Sequence, residues 1–116
     1  LADRPMIFGA STHNKTELSE ALNAGADYVG LGTVFATATK PDYPVSGLDY
    51  IRNAVSTLSA SAQSVGHVAI GGISPSNVGK VVEAGASAVA VCSAVTDAAD
   101  PEKACRDFLE AMKLNK

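Results

Sequence analysis

The chain has 116 residues, 47% of them hydrophobic and 18% charged, with ten glycines, no tryptophan and a formal net charge of −3. That length holds at most one small domain, and that apolar fraction excludes low-complexity disorder. The acidic balance argues against a nucleic-acid or membrane-surface partner, and no apolar run approaches the ~20 residues that span a bilayer.

In chain order, short apolar runs alternate with helical periodicity, the signature of βα units around a parallel sheet. Met6 to Ala10 predicts a first strand ending at Ser11. Asn14 and Glu17 then stand at capping-box spacing, with Leu18, Ala21 and Leu22 on one helical face and Gly25 as the stop. Ala26 to Gly32 predicts the second strand. Thr33 to Ser46, punctuated by Pro41 and Pro44, is a long connection without regular structure, and such connections are usually functional or disordered. Leu48, Ile51, Val55 and Leu58 mark the next helix. His67 to Gly72 predicts the third strand, and Ser74-Pro75 a helix start with Val78, Val81 and Val82 inward and Gly85 as its stop. Ala88 to Cys92 predicts the fourth strand. Asp100-Pro101 opens a last helix whose apolar face is Ala104, Cys105, Phe108 and Met112.

Ala24-Gly25-Ala26-Asp27-Tyr28-Val29 recurs as Ala84-Gly85-Ala86-Ser87-Ala88-Val89, 60 residues on. The interval holds two βα units, which favours a (β/α)8 barrel built from pairs over a flat doubly wound sheet. A full barrel needs about 250 residues, so four βα units make about half of one. Two open sheet edges predict that this half pairs with another, either the missing part of its own chain or a second copy. The start at Leu1 rather than Met fits an excised or processed piece.

In such sheets ligands sit where strands end and βα loops begin. The four exits are Ser11-Thr12-His13, Thr33 to Lys40, Gly71-Gly72 and Cys92-Ser93, all on one rim if the strands are parallel. This rim is rich in Gly, Ser and Thr, holds one lysine and no acidic residue before Asp42. Exposed backbone N–H groups, hydroxyls and one ammonium suit phosphate oxygens. Gly71-Gly72 admits a phosphate or serves packing alone. Thr37-Ala38-Thr39-Lys40 reads as an anion clamp or as a solvated loop, and Ser11 as a phosphate donor or a turn former. His13 is a candidate general base or an N-cap neighbour. His67 lies at the opposite rim and reads as structural; Cys92 and Cys105 read as packed. The two cysteines make neither a disulfide framework nor a cysteine zinc site, and the N-terminus lacks a signal pattern, so the expected location is cytoplasmic.

Gly9-Ala10-Ser11-Thr12-His13, the run from Ala26 to Lys40, Val68 to Ile73 and Ala90 to Val95 occur in the order of one family. Together they resemble the carboxyl-terminal half, strands five to eight, of thiamine-phosphate synthase, a (β/α)8-barrel enzyme. The resemblance implies condensation of a pyrimidine diphosphate (4-amino-2-methyl-5-diphosphomethylpyrimidine) with a thiazole phosphate, releasing pyrophosphate in thiamine biosynthesis. It implies that Ser11 and Lys40 contact the pyrimidine diphosphate, with Lys40 on the departing pyrophosphate. Thr37, Ala38 and Thr39 would line the thiazole phosphate site, Gly72, Cys92 and Ser93 would complete it, and Ile70 would form an apolar wall. Thr33 and Ala36 depart from the residues usual in the family. Mg2+ is implied for the complete enzyme, with its aspartate ligands in an amino-terminal half this chain does not contain. Two other readings remain: a thiazole tautomerase of the same fold using His13, and a non-catalytic half-barrel that only binds phosphate.

Overall fold

A computed structural model describes residues 6–36 and 45–114. The strands are β1 (Gly9–Thr12), β2 (Tyr28–Leu31), β3 (Gly66–Ile70) and β4 (Val89–Ala90). The helices are α1 (Lys15–Asn23), α2 (Gly47–Ala60), α3 (Val78–Glu83), α4 (Ser93–Thr96) and α5 (Pro101–Leu114). All three strand pairings are parallel, and the spatial order β1-β2-β3-β4 is the chain order. Right-handed crossovers that always step the same way lay every helix on the same face, so the sheet is wound once, not twice. A doubly wound sheet needs a reversal of strand order, and this sheet has none.

Register sorts the strand residues into two faces. Thr12, Leu31 and Ala69 align on one face, as do Ala10, Val29 and His67. Val29, Leu31 and Ala69 are fully buried under the helices with Leu18, Ile51, Val78, Val81 and Phe108. Tyr28, Gly30, Val68, Ile70 and Ala90 share the other face with Ser11, and there Tyr28 is 43% and Ile70 49% exposed. Parallel sheets are normally covered on both sides. Among the described residues, this one carries helices on one side only.

Tyr28 lies between two glycines in its row, Gly9 and Gly66, and its ring lies across Gly9. A large side chain flanked by vacant neighbours is the alternation that fills the taper of a small barrel. Gly32 is the less forgiving position, because a Cβ there would collide with the Ile70 carbonyl, which is backbone and cannot turn aside. Gly32→Ala is expected to cost about 3 kcal/mol and roughly 10 °C or more in Tm. Gly9→Ala costs far less, because the Tyr28 ring swings into solvent; paired denaturation curves check the contrast.

Several expected boundaries move, each for a visible reason. The first strand starts three residues later, at Gly9, since Ser11 and Thr12 join the ladder while Met6 and Ile7 stay exposed. Thr12 is buried because its hydroxyl meets the Gly30 carbonyl at 2.8 Å and the Tyr50 hydroxyl at 2.5 Å. The third helix starts at Val78 rather than at Ser74, after a turn over 74–77 closed by the Asn77 side chain. Cys105 is exposed, not core: on α5 the buried positions are Ala104 and Phe108, and Cys105 sits one residue, about 100°, off that stripe. Gly25 and Gly85, the matched glycines of the repeat, take positive φ (86° and 114°) just after α1 and α3, as helix-stop residues do.

Candidate active site at the strand exits

Parallel pairing carries the carboxyl ends of all four strands to one rim. At β1, the exposed Ser11 aligns with Gly30, whose missing side chain leaves the neighbouring space open; a Cβ there would stand 3.9 Å from Ser11 Oγ. Beyond β2, residues 33–36 fold back along the end of β3, with Val34 N–H on the Ile70 carbonyl and Phe35 N–H on the Gly71 carbonyl, both 3.0 Å. Gly72 has φ of 64°, and a Cβ on it would lie 2.8 Å from the carbonyl oxygens of both Phe35 and Ala36. Only glycine fits a positive φ with two oxygens that close. The chain leading into Thr37 therefore passes directly against Gly72. Thr37, Ala38, Thr39 and Lys40, with Asp42, lie outside the described residues.

Ile70 projects from the uncovered face and aligns with Ala90, so it faces the same space as Ser11. Cys92 and Ser93 follow β4, Cys92 as the residue before α4 and Ser93 as its first residue; both are exposed. Cys92 does not pack as expected. Its carbonyl is taken up by the N–H groups of Val95 and Thr96 and by the Thr96 hydroxyl, while the thiol faces outward.

Two braces were not visible in the sequence. Ser46 precedes α2 but makes no side-chain cap; its hydroxyl is directed at the carbonyls of Gly32 (2.6 Å) and His13 (2.8 Å), and its N–H donates to the Thr33 carbonyl. It thus ties the exits of β1 and β2 to the start of α2. Glu17 is the second brace. One of its oxygens accepts from the His13 backbone N–H and meets His13 Nδ1, each at 2.8 Å, and these bonds hold its carboxyl below the usual carboxylate range. The expected capping spacing thus produced half a capping box: Asn14 accepts the Glu17 N–H, while Glu17 reaches one residue beyond the cap. Burial pushes the Tyr50 hydroxyl up in pKa, so it stays protonated beside Thr12.

His67 stands at the other rim, beside an open hollow of about 440 Å3 bordered by Leu58, Gln63 and Ser87. Its Nε2 accepts the Ser87 N–H at 3.1 Å, and burial lowers its pKa. The folded chain therefore resists protonating His67 more than the unfolded chain does. That contribution is complete above the unfolded value of about 6.5 and is lost as pH falls through the lower folded value. Denaturation midpoints should fall with acidification in this window, and His67→Gln should flatten that slope.

Among the described residues no three His, Cys, Asp or Glu gather to hold a metal. Among the described residues no helix is long and apolar enough to cross a membrane.

A singly wound parallel sheet with glycines and hydroxyls at its strand exits is a TIM-barrel-like arrangement. Residues 1–95 match the profile of the thiamine monophosphate synthase family, and the chain belongs to it. The thiamine-phosphate synthase of Thermosynechococcus vestitus is 43% identical over 109 residues, covering 94% of this chain and 30% of its own. That of Bacillus velezensis is 41% identical over 112 residues, covering 96% and 48%. The solved thiamine phosphate pyrophosphorylase from Pyrococcus furiosus superposes with a TM-score of 0.80 at 36% identity, over 95% of this chain and 50% of that one. The chain thus spans half or less of these relatives' lengths.

Proposed function

We propose that this chain is the carboxyl-terminal half, strands five to eight, of a thiamine-phosphate synthase barrel, and that it works only when paired with an amino-terminal half. The observation that carries this is the uncovered sheet face. Tyr28, Val68 and Ile70 stand where a barrel interior would be, in a chain that spans 50% of the Pyrococcus furiosus relative. A second copy of this chain would cover the same sheet face, but activity needs the amino-terminal half.

The reaction breaks the C–O bond between the pyrimidine methylene and its diphosphate. The electron pair leaves with pyrophosphate, and the resonance-stabilised methylene cation is captured by the thiazole nitrogen, giving thiamine phosphate. Its demands are stabilisation of the departing charge and close approach of two substrates, with little proton transfer. Lys40 neutralises the departing pyrophosphate, and Ser11 donates to the pyrimidine diphosphate. Thr37, Ala38 and Thr39, with Gly72, Cys92 and Ser93, hold the thiazole phosphate through backbone N–H groups and hydroxyls, and Ile70 supplies an apolar wall. Mg2+, with ligands in the other half, would add positive charge at the diphosphate. The chain acts in the cytoplasm.

A second reading, thiazole tautomerase, is favoured by the Glu17 clamp on His13, which orients the imidazole. The two are separated by assaying both reactions with the chain co-expressed with an amino-terminal half. Synthase turnover that survives His13→Asn supports the first. Tautomerase turnover alone, abolished by His13→Asn, supports the second, and phosphate binding with neither turnover leaves a non-catalytic half-barrel.

A further inference from the structure

Asn77 immediately precedes α3, yet its side chain makes no bond to the amides of the helix it precedes. Both ends of its amide are directed backwards. Oδ1 accepts the Ser74 N–H at 2.8 Å, and Nδ2 donates to the Gly72 carbonyl at 3.0 Å. The two bonds span the turn that leaves β3. Gly71 and Gly72 both have positive φ (111° and 64°), and glycine has no side chain to restrain its peptide planes. The orientation of the Gly72 carbonyl is therefore set from outside, by Asn77, while Phe35 and Ala36 close off the Cα side. In a trans peptide the C=O and N–H point opposite ways. Holding the Gly72 oxygen on Asn77 turns the following N–H, that of Ile73, away from Asn77.

We propose that Asn77 is a positioning residue for phosphate recognition: by gripping the Gly72 carbonyl it fixes the Gly72–Ile73 peptide in an orientation that presents the Ile73 N–H to a phosphate monoester, beside the Gly71–Gly72 peptide that Phe35 holds. The proposal rests on the reading of Gly72 as part of the thiazole phosphate site. Asn77 itself touches no ligand. A residue that merely started the helix would bond the amides of its first turn, which the Asn77 side chain does not. The second bond, to a glycine in a left-handed conformation, is what a phosphate-orienting role requires.

The test is calorimetric titration of this chain with the thiazole phosphate and, separately, with the unphosphorylated thiazole alcohol. The wild-type chain should prefer the phosphate ester. In Asn77→Ala that preference falls about tenfold, as expected for loss of one hydrogen bond to a charged group, while affinity for the alcohol is unchanged. Asn77→Asp keeps the acceptor for Ser74 but has no donor for Gly72. It should lose the same preference with a Tm within a degree or two of wild type. A wild-type preference retained in both variants, or restored by Asn77→Asp, overturns the proposal. A wild-type chain that does not distinguish ester from alcohol overturns the phosphate reading of the rim itself, a failure seen before any variant is examined.

Discussion

Replacing Lys40 by alanine in the assembled barrel should lower kcat for thiamine phosphate formation by about 10²–10³-fold, the usual effect of removing one group that stabilises developing charge. The dissociating pyrophosphate gains negative charge as the C–O bond lengthens, so an ammonium placed on it acts more strongly in the transition state than in the bound substrate. KM for the thiazole phosphate should barely change, because the role proposed for Lys40 is on the other substrate. Lys40→Arg should restore part of kcat, since it returns the charge with a different shape. Steady-state kinetics with each substrate varied in turn checks this. An unchanged kcat in Lys40→Ala would remove Lys40 from the reaction.

The second large effect concerns the chain alone. Without an amino-terminal half it should make no measurable thiamine phosphate, even with Mg2+ and both substrates, and should unfold at a low temperature. The physical cause is the bare sheet. One face of four strands leaves Tyr28 and Ile70 about half exposed, and β1 and β4 are open edges. Covering that face removes apolar surface worth about 25 cal/mol per Å2, so a complementary half should raise Tm by well over 10 °C and bring activity with it. Thermal scans and product assays, with and without the second half, test both parts. Turnover by the purified chain alone would refute the half-barrel account.

Much of this architecture was legible in the sequence because its signals are local. The alternation of apolar runs with helical spacing, the stops at Gly25 and Gly85 and the Pro101 helix start all act within a few residues, and all appear in the structure. What the chain did not announce depends on partners far along it. Thr12 reads as polar and exposed until Gly30 and Tyr50 arrive to bond its hydroxyl. Ser46 and Asn77 each immediately precede a helix, yet each spends its side chain on carbonyls of a neighbouring strand exit. Cys105 reads as part of the apolar face of the last helix, but one step around α5 turns it to the exposed side. Of the rim, Ser11, Ile70, Gly72, Cys92 and Ser93 all stand at or just beyond the carboxyl ends of their strands. The Thr37 to Lys40 segment lies outside the described residues, but the chain entering it is fixed against Gly72 by the Phe35 and Ala36 carbonyls.

The most direct measurement is a backbone amide NMR titration of the isotope-labelled chain with the thiazole phosphate. Signals of Ser11, Gly71 to Ile73 and Cys92 to Ala94 should shift together along one saturation curve, as residues of different strands that hold one phosphate must. Shifts that instead gather around His67 and Ser87 at the opposite rim, or that follow separate curves for each strand exit, would contradict a single anion-binding mouth.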